Sequence, residues 1–217
     1  NFNVKGFDRY NIDNSWGWLN NFKNNKDIDF LLGDIRDYDS VYNALSDCDS
    51  VIHLAALIGI PYSYESPLAY VKTNIEGTYN VLEACREKNI AQVIITSTSE
   101  VYGTGKTTTM SETHQLSAQS PYAASKIAAD QLALSYYKSF KTPITVIRPF
   151  NTYGPRQSNR AVIPTIITQS LKNKILNLGS IFPTRDFTYV EDTVSAMVLS
   201  IKNKTSIGEI INIGSNF

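Results

Sequence analysis

The sequence predicts an α/β fold built on a doubly wound parallel sheet. Three observations carry that reading. Apolar, strand-like runs alternate with helical patterns along most of the chain. The runs are near-continuously apolar, as in SVIHLAA over 50–56 and AQVIITS over 91–97, which suits strands buried on both faces. The chain has 217 residues, 42% of them hydrophobic, enough for one domain with a sizeable core.

Taken in order, the first strand run covers 2–7 and is short. The next, 28–32, ends at Gly33-Asp34, and the Asn-rich stretch 20–25 before it reads as a solvated loop. A short helical pattern follows at 41–45, then the run 50–56. Ser66-Pro67 opens a long helix over 67–88, with an N-cap Ser ahead of a Pro at the first helical position. The run 91–97 leads into a Ser/Thr-rich turn. Ser120-Pro121 repeats the capping device and starts a helix over 121–140. Strand runs at 142–149, 175–178 and 209–213 then alternate with helices at 164–172 and 191–202. The chain shows no internal repeat.

Charge narrows the partners. Twenty Lys+Arg balance twenty Asp+Glu, so there is no electrostatic case for nucleic acid or an anionic membrane. No apolar run approaches the roughly 20 residues that span a bilayer. Cys48 and Cys85 lack partner spacing and read as reduced, buried and cytosolic. With two His and no paired Cys, no metal site is expected, and His53 inside an apolar strand reads as a core residue.

Four segments carry chemistry. Tyr122 and Lys126 stand at i and i+4 of a helix and share a face. A free phenol has a pKa of about 10, and a neighbouring ammonium would lower it and make the phenol a usable base. Spacing alone equally allows an exposed helical pair, and a second match, Tyr102 and Lys106, falls in a Gly-containing loop. Thr96-Ser-Thr-Ser-Glu-Val-Tyr-Gly103 follows a strand, where ligands of open α/β sheets sit. Glu100 is its carboxylate and the natural proton-abstracting base; the other reading is a Ser/Thr-rich turn. Gly33-Asp-Ile-Arg-Asp37 can hold an adenine amino group on Asp34, or simply cap a helix at Asp37. Arg148-Pro-Phe-Asn-Thr-Tyr-Gly-Pro-Arg156 and Thr184-Arg-Asp-Phe187 supply guanidinium forks that suit a diphosphate, or ion pairs with Asp186 or Glu191. Gly103-Thr-Gly-Lys-Thr lacks the Gly at position 100 that a phosphate loop needs.

In this order the segments resemble the extended short-chain dehydrogenase/reductase family of nucleotide-sugar enzymes. Further matching pieces are His53-Leu-Ala-Ala56 and Thr73-Asn-Ile-Glu-Gly-Thr78. Within the family the chain is most similar to the NAD-dependent 4,6-dehydratases of the legionaminic acid branch. The resemblance there rests on Tyr10-Asn-Ile-Asp-Asn-Ser-Trp-Gly-Trp-Leu19, the 55–64 segment, the 154–169 segment and Pro183-Thr-Arg-Asp-Phe187.

The resemblance implies a Rossmann-like dinucleotide-binding domain over 1–150 and a partial substrate region with returning Rossmann elements over 151–217. The family's Gly-x-x-Gly-x-x-Gly loop is not in the sequence, so the resemblance places it, with a central first strand, ahead of Asn1 in a longer enzyme. The implied catalytic residues are Tyr122, Lys126, Thr98, Ser99 and Glu100. The implied NAD-binding residues are Asp8, Asp34, Ile35, Leu54, Ala55, Ala56, Asn74, Thr96 and Pro149, with Tyr122 and Lys126. Ser63, Asn151, Arg160, Val162 and Arg185 are implied to hold the nucleotide sugar. The implied reaction is redox-neutral 4,6-dehydration, with GDP-N-acetylglucosamine the expected substrate, by a cytoplasmic homodimer. Many 4,6-dehydratases carry Asp where Ser99 stands, and nucleotide-sugar decarboxylases share Thr-Ser-Glu. Decarboxylation of a UDP-glucuronate, 4-epimerisation and a non-catalytic nucleotide-binding module therefore stay open.

Overall fold

The structure is a computed structural model that describes residues 2–105, 107, 109–172 and 175–215. Lys106, half of the Tyr102/Lys106 match, lies outside the described residues.

The chain forms β1 (Val4–Arg9), β2 (Ile28–Gly33), α1 (Tyr38–Ala44), β3 (Ser50–His53), α2 (Ile60–Glu65), α3 (Pro67–Tyr70), α4 (Gly77–Glu87) and β4 (Gln92–Thr96). It continues through α5 (Pro121–Phe140), β5 (Ile144–Pro149), β6 (Asn151–Tyr153), α6 (Val162–Lys172), β7 (Phe187–Tyr189), α7 (Val190–Lys202) and β8 (Ile210–Ile213). The α/β class with parallel strands is the one the alternating pattern predicts. All strand pairings described are parallel. The sheet falls into parts: β1-β2, a four-stranded β3-β4-β5-β8, and a small β6-β7 pair. β8 returns from the C-terminal quarter to pair with β5, Val146 opposite Ile210.

The core lies between the four-stranded sheet and α1, α4 and α5. Val93, Ile95, Ile144 and Val146 of the strands meet Val41, Leu82, Cys85 and Ala133 of the helices. On the other face Ile94, Ile147 and Met197 form a second cluster. Burial on both faces explains why β4 and β5 read as unbroken apolar runs. Cys85 is buried, while Cys48 is half-buried; both are free thiols. No helix among the described residues is long and apolar enough to cross a membrane.

Several local expectations change. The helix expected over 67–88 is interrupted by a π-helical turn at Val71–Glu76. Ser66 makes no side-chain capping bond, whereas Ser120 accepts from the Ala123 amide at 3.0 Å and caps α5 as expected. The run 50–56 leaves the sheet after His53. No strand forms at 175–178; Ile175, Leu176 and Leu178 are exposed there, and the Gln169 side chain brackets the Asn177 backbone in place of a ladder partner. The three-residue strands β6 and β7 and the six-residue α2 are not legible in the sequence, because so few residues show no period.

Candidate active site

Parallel strands place the candidate residues at their carboxyl ends, where open sheets bind ligands. Asp8 is the penultimate residue of β1, Asp34 follows β2, Leu54–Ala56 follow β3, Thr96 ends β4 and Pro149 ends β5. Asp8 and Leu54 are exposed. The Asp34 carboxylate takes the Arg36 fork, with Nε at 2.9 and 3.0 Å from its two oxygens, and that cation holds its pKa below the usual range. Asp34, Arg36, Asp37, Lys72 and Glu76 line an open cavity of about 290 Å³. Asp37 caps α1 by accepting from the Asp39 amide, as the capping reading of this turn expects. Ile35 is buried; its carbonyl accepts from Asn80 at 2.9 Å, and its side chain fills the space a Cβ at Gly77 would need.

Tyr122 and Lys126 lie on the buried face of α5, so the exposed-pair reading fails. Tyr70 meets Tyr122 edge-on, with ring centroids 6.3 Å apart. Burial pushes the Tyr122 phenol up to about 12; a hydrogen bond with Thr98 draws it down, and Glu100, Tyr70 and Asp130 push it up. This corrects the expectation that Lys126 dominates the phenol. The Lys126 ammonium donates instead to the Thr96 carbonyl at 2.6 Å, and burial lowers its own pKa.

Thr98, Ser99 and Glu100 belong to a 3-10 turn, Ser99–Tyr102, with Thr98 as its N-cap accepting from the Glu100 amide at 3.2 Å. The Ser/Thr run thus forms an ordered turn whose Thr98 side chain draws the Tyr122 phenol pKa down and whose Glu100 charge pushes it up.

Two of the expected ligand-binding residues make hydrogen bonds within the chain. Asn74, on the π-helical turn, accepts from the Leu57 amide and donates to the Leu57 carbonyl and to Ser125. Its carboxamide fastens the segment after β3 to the first turns of α5. Ser63 is fully buried and donates to the Ile60 carbonyl at 2.6 Å. His53 is a core residue, as expected: its Nε2 lies 3.0 Å from the Thr78 hydroxyl, and burial drops its pKa to about 3. Thr78 donates to the Asn74 carbonyl, so the His53 contact requires an Nε2–H donor.

The substrate candidates lie on the C-terminal segments. The Asn151 amide side chain donates to the Asp186 carbonyl. Arg160, Val162 and Arg185 are exposed. Arg148 corrects the diphosphate reading: it is 1% exposed and pairs with Asp130 at 3.0 Å, not with Asp186 or Glu191. Sequence reasoning missed Tyr70, Tyr102 and Asp130. An acid at i+4 from Lys126 was the available signal for Asp130.

The sequence model of a family described as GDP-mannose 4,6 dehydratase matches residues 1–217. A dTDP-D-glucose 4,6-dehydratase of Dictyostelium discoideum is 36% identical over 202 residues, covering 87% of this chain and 46% of that protein. A UDP-N-acetyl-alpha-D-glucosaminuronate decarboxylase of Bacillus cytotoxicus is 37% identical over 190 residues, covering 83% of this chain and 58% of that protein. This chain thus spans about half the length of these curated relatives. The crystal structure of a UDP-glucuronic acid 4-epimerase from Bacillus cereus, in complex with UDP-glucuronic acid and NAD, superposes with a TM-score of 0.89 at 35% identity. It covers 97% of this chain and 69% of that one.

Proposed function

The chain belongs to the GDP-mannose 4,6-dehydratase family, and from that premise we propose that it carries the catalytic core of an NAD-dependent nucleotide-sugar 4,6-dehydratase. The observation that carries this reading is the Thr98-capped turn, which puts the Glu100 charge within electrostatic reach of the buried Tyr122 phenol. Epimerisation at C4 needs an acid–base at the 4-hydroxyl; elimination needs a further base at C5, and Glu100 supplies one.

The residues present fit a dinucleotide. Thr96 Oγ1 is buried without a hydrogen-bond partner at the end of β4, and the acidic turn at Asp34 opens on a cavity. Asp34 would hold the adenine end, with Asp8 and Leu54–Ala56 along the strand ends. Thr96, Lys126 and Tyr122 would surround the nicotinamide end. When bound, NAD supplies a hydride acceptor at the sugar C4 and returns the hydride to C6.

Tyr122, whose phenol pKa the Thr98 side chain draws down, removes the 4-hydroxyl proton. Lys126 anchors α5 to β4 through the Thr96 carbonyl. Glu100 then takes the C5 proton, made acidic by the 4-ketone, as the 6-hydroxyl leaves. Asn151, Arg160, Val162 and Arg185 border the sugar-nucleotide side, and GDP-N-acetylglucosamine is the substrate we propose. The enzyme containing this chain, incubated with GDP-, UDP- and dTDP-hexoses, is expected to release a 4-keto sugar lighter by one water. Release of carbon dioxide from a nucleotide glucuronate, with hexoses untouched, would replace this reading by decarboxylation. Thr98-Ser99-Glu100 does not separate the two readings, since decarboxylases of the family share it and many dehydratases carry Asp at the position of Ser99.

We also propose a cytoplasmic homodimer. Tyr136 of α5 donates to Glu83 of α4 at 2.7 Å, so the two helices stand side by side. Leu68, Val71, Tyr79 and Phe140 remain exposed around this pair. Pairing with the same helices of a second copy would bury them in an isologous contact. Sedimentation at micromolar concentration is expected to give twice the monomer mass; a strict monomer counts against it.

A further inference from the structure

We propose that the buried Asp130–Arg148 pair is a positioning device for Lys126, with Asp130 as the counter-charge one helical turn beyond it and Arg148 as the brace that fixes Asp130. The proposal rests on Tyr122 and Lys126 being the acid–base couple.

Tyr122, Lys126 and Asp130 stand at i, i+4 and i+8 of α5, all on its buried face. Asp130 is fully buried and Lys126 is 4% exposed. Arg148 reaches Asp130 from β5 through Nε to Oδ2 at 3.0 Å. Its Nη1 donates to the Tyr102 hydroxyl at 2.9 Å. That hydroxyl donates in turn to Asn212 Oδ1 at 2.7 Å. Asn212 is held by the Glu112 carboxylate and the Met110 carbonyl. One guanidinium therefore ties the Lys126 helix to the turn that carries Glu100.

An isolated hydrophobic-core ion pair is weak support for stability, because desolvation offsets the attraction. Here the charge has a second use. The titratable groups that act on the couple are His53 from β3, Glu100 from the 3-10 turn, Tyr70 from α3 and Asp130 from α5. His53 and Tyr70 are uncharged at neutral pH. Burial disfavours the Lys126 ammonium, and Asp130 is the group that opposes that effect. Oδ1 of Asp130 makes no direct hydrogen bond, so Arg148 compensates the carboxylate through one oxygen.

The test is NMR titration of the full chain labelled with [13Cε]lysine, with Lys126→Met identifying the signal. The double variant Asp130→Asn/Arg148→Met removes both members of the ion pair together, so neither Asp130 nor Arg148 is left without its partner. Its Lys126 midpoint is expected to fall by about one pH unit, a tenfold loss of ammonium at fixed pH. An unchanged midpoint in the folded double variant overturns the proposal. Asp130→Glu keeps the charge and serves if the double variant does not fold: its midpoint is expected to hold, and a fall overturns the proposal. The titration needs no substrate. A shifted midpoint in an enzyme inactive on nucleotide sugars would sink the dehydratase reading and leave this one standing.

Discussion

Tyr122→Phe is expected to slow hydride transfer from a bound nucleotide sugar by about two to four orders of magnitude, the usual range for loss of a general base. The substitution removes one oxygen and keeps the ring that packs edge-on against Tyr70. The first turns of α5 stay pinned through Ser125, which donates to the Tyr122 carbonyl and receives from Asn74. Structure and binding should therefore survive while chemistry fails. Single-turnover growth of near-ultraviolet absorbance from reduced nicotinamide reads the step directly. A rate within about tenfold of the parent would remove Tyr122 from the base role. The pH dependence has a definite sign. Burial pushes the phenol up to about 12, so below that midpoint the phenolate fraction grows about tenfold per pH unit. The parent rate of this step should rise with pH, and the rise should vanish in Tyr122→Phe.

Glu100→Gln is expected to separate the two chemical halves of the reaction. The 4-hydroxyl proton leaves through Tyr122, so the first hydride transfer should proceed. Elimination needs the C5 proton removed, and its rate should fall by about two to four orders of magnitude. Reduced nicotinamide should then accumulate on the enzyme, with little solvent deuterium entering C5. Loss of carbon dioxide from a glucuronate requires no C5 proton abstraction, so a decarboxylase would pass through this substitution with its second step intact. An epimerase would likewise turn over. Retained turnover with no build-up of reduced nicotinamide would therefore sink the dehydratase proposal.

Much of the frame was legible before any coordinates. β4 and β5 are buried on both faces, which writes a local apolar run into the sequence. The α5 boundaries follow from Ser120 as cap and Pro121 at the first position, signals that act within four residues. The strand ends then fixed where Asp34, Thr96 and Glu100 stand. Weakly periodic pieces were not legible. The π-helical turn at Val71–Glu76 keeps helical composition while changing the hydrogen-bond step. The 175–178 run is apolar enough for a strand, but a strand exists by having a neighbour, and the described chain gives it none.

The sequence by itself thus determined the α/β class, the main strands, α5 and the Tyr122–Lys126 couple on one helical face. The tertiary structure decided what those groups experience. Only burial reveals that the phenol is pushed up, that Lys126 donates to the Thr96 carbonyl, and that Asn74 and Ser63 turn inward. Only packing reveals that Arg148 serves Asp130. Its partners Asp130 and Tyr102 lie 18 and 46 residues away, and Tyr102 and Asn212 are 110 apart. Periodicity and capping are read over one or two helical turns. Desolvation and buried ion pairing depend on which distant segments close over a side chain, and no local pattern encodes that.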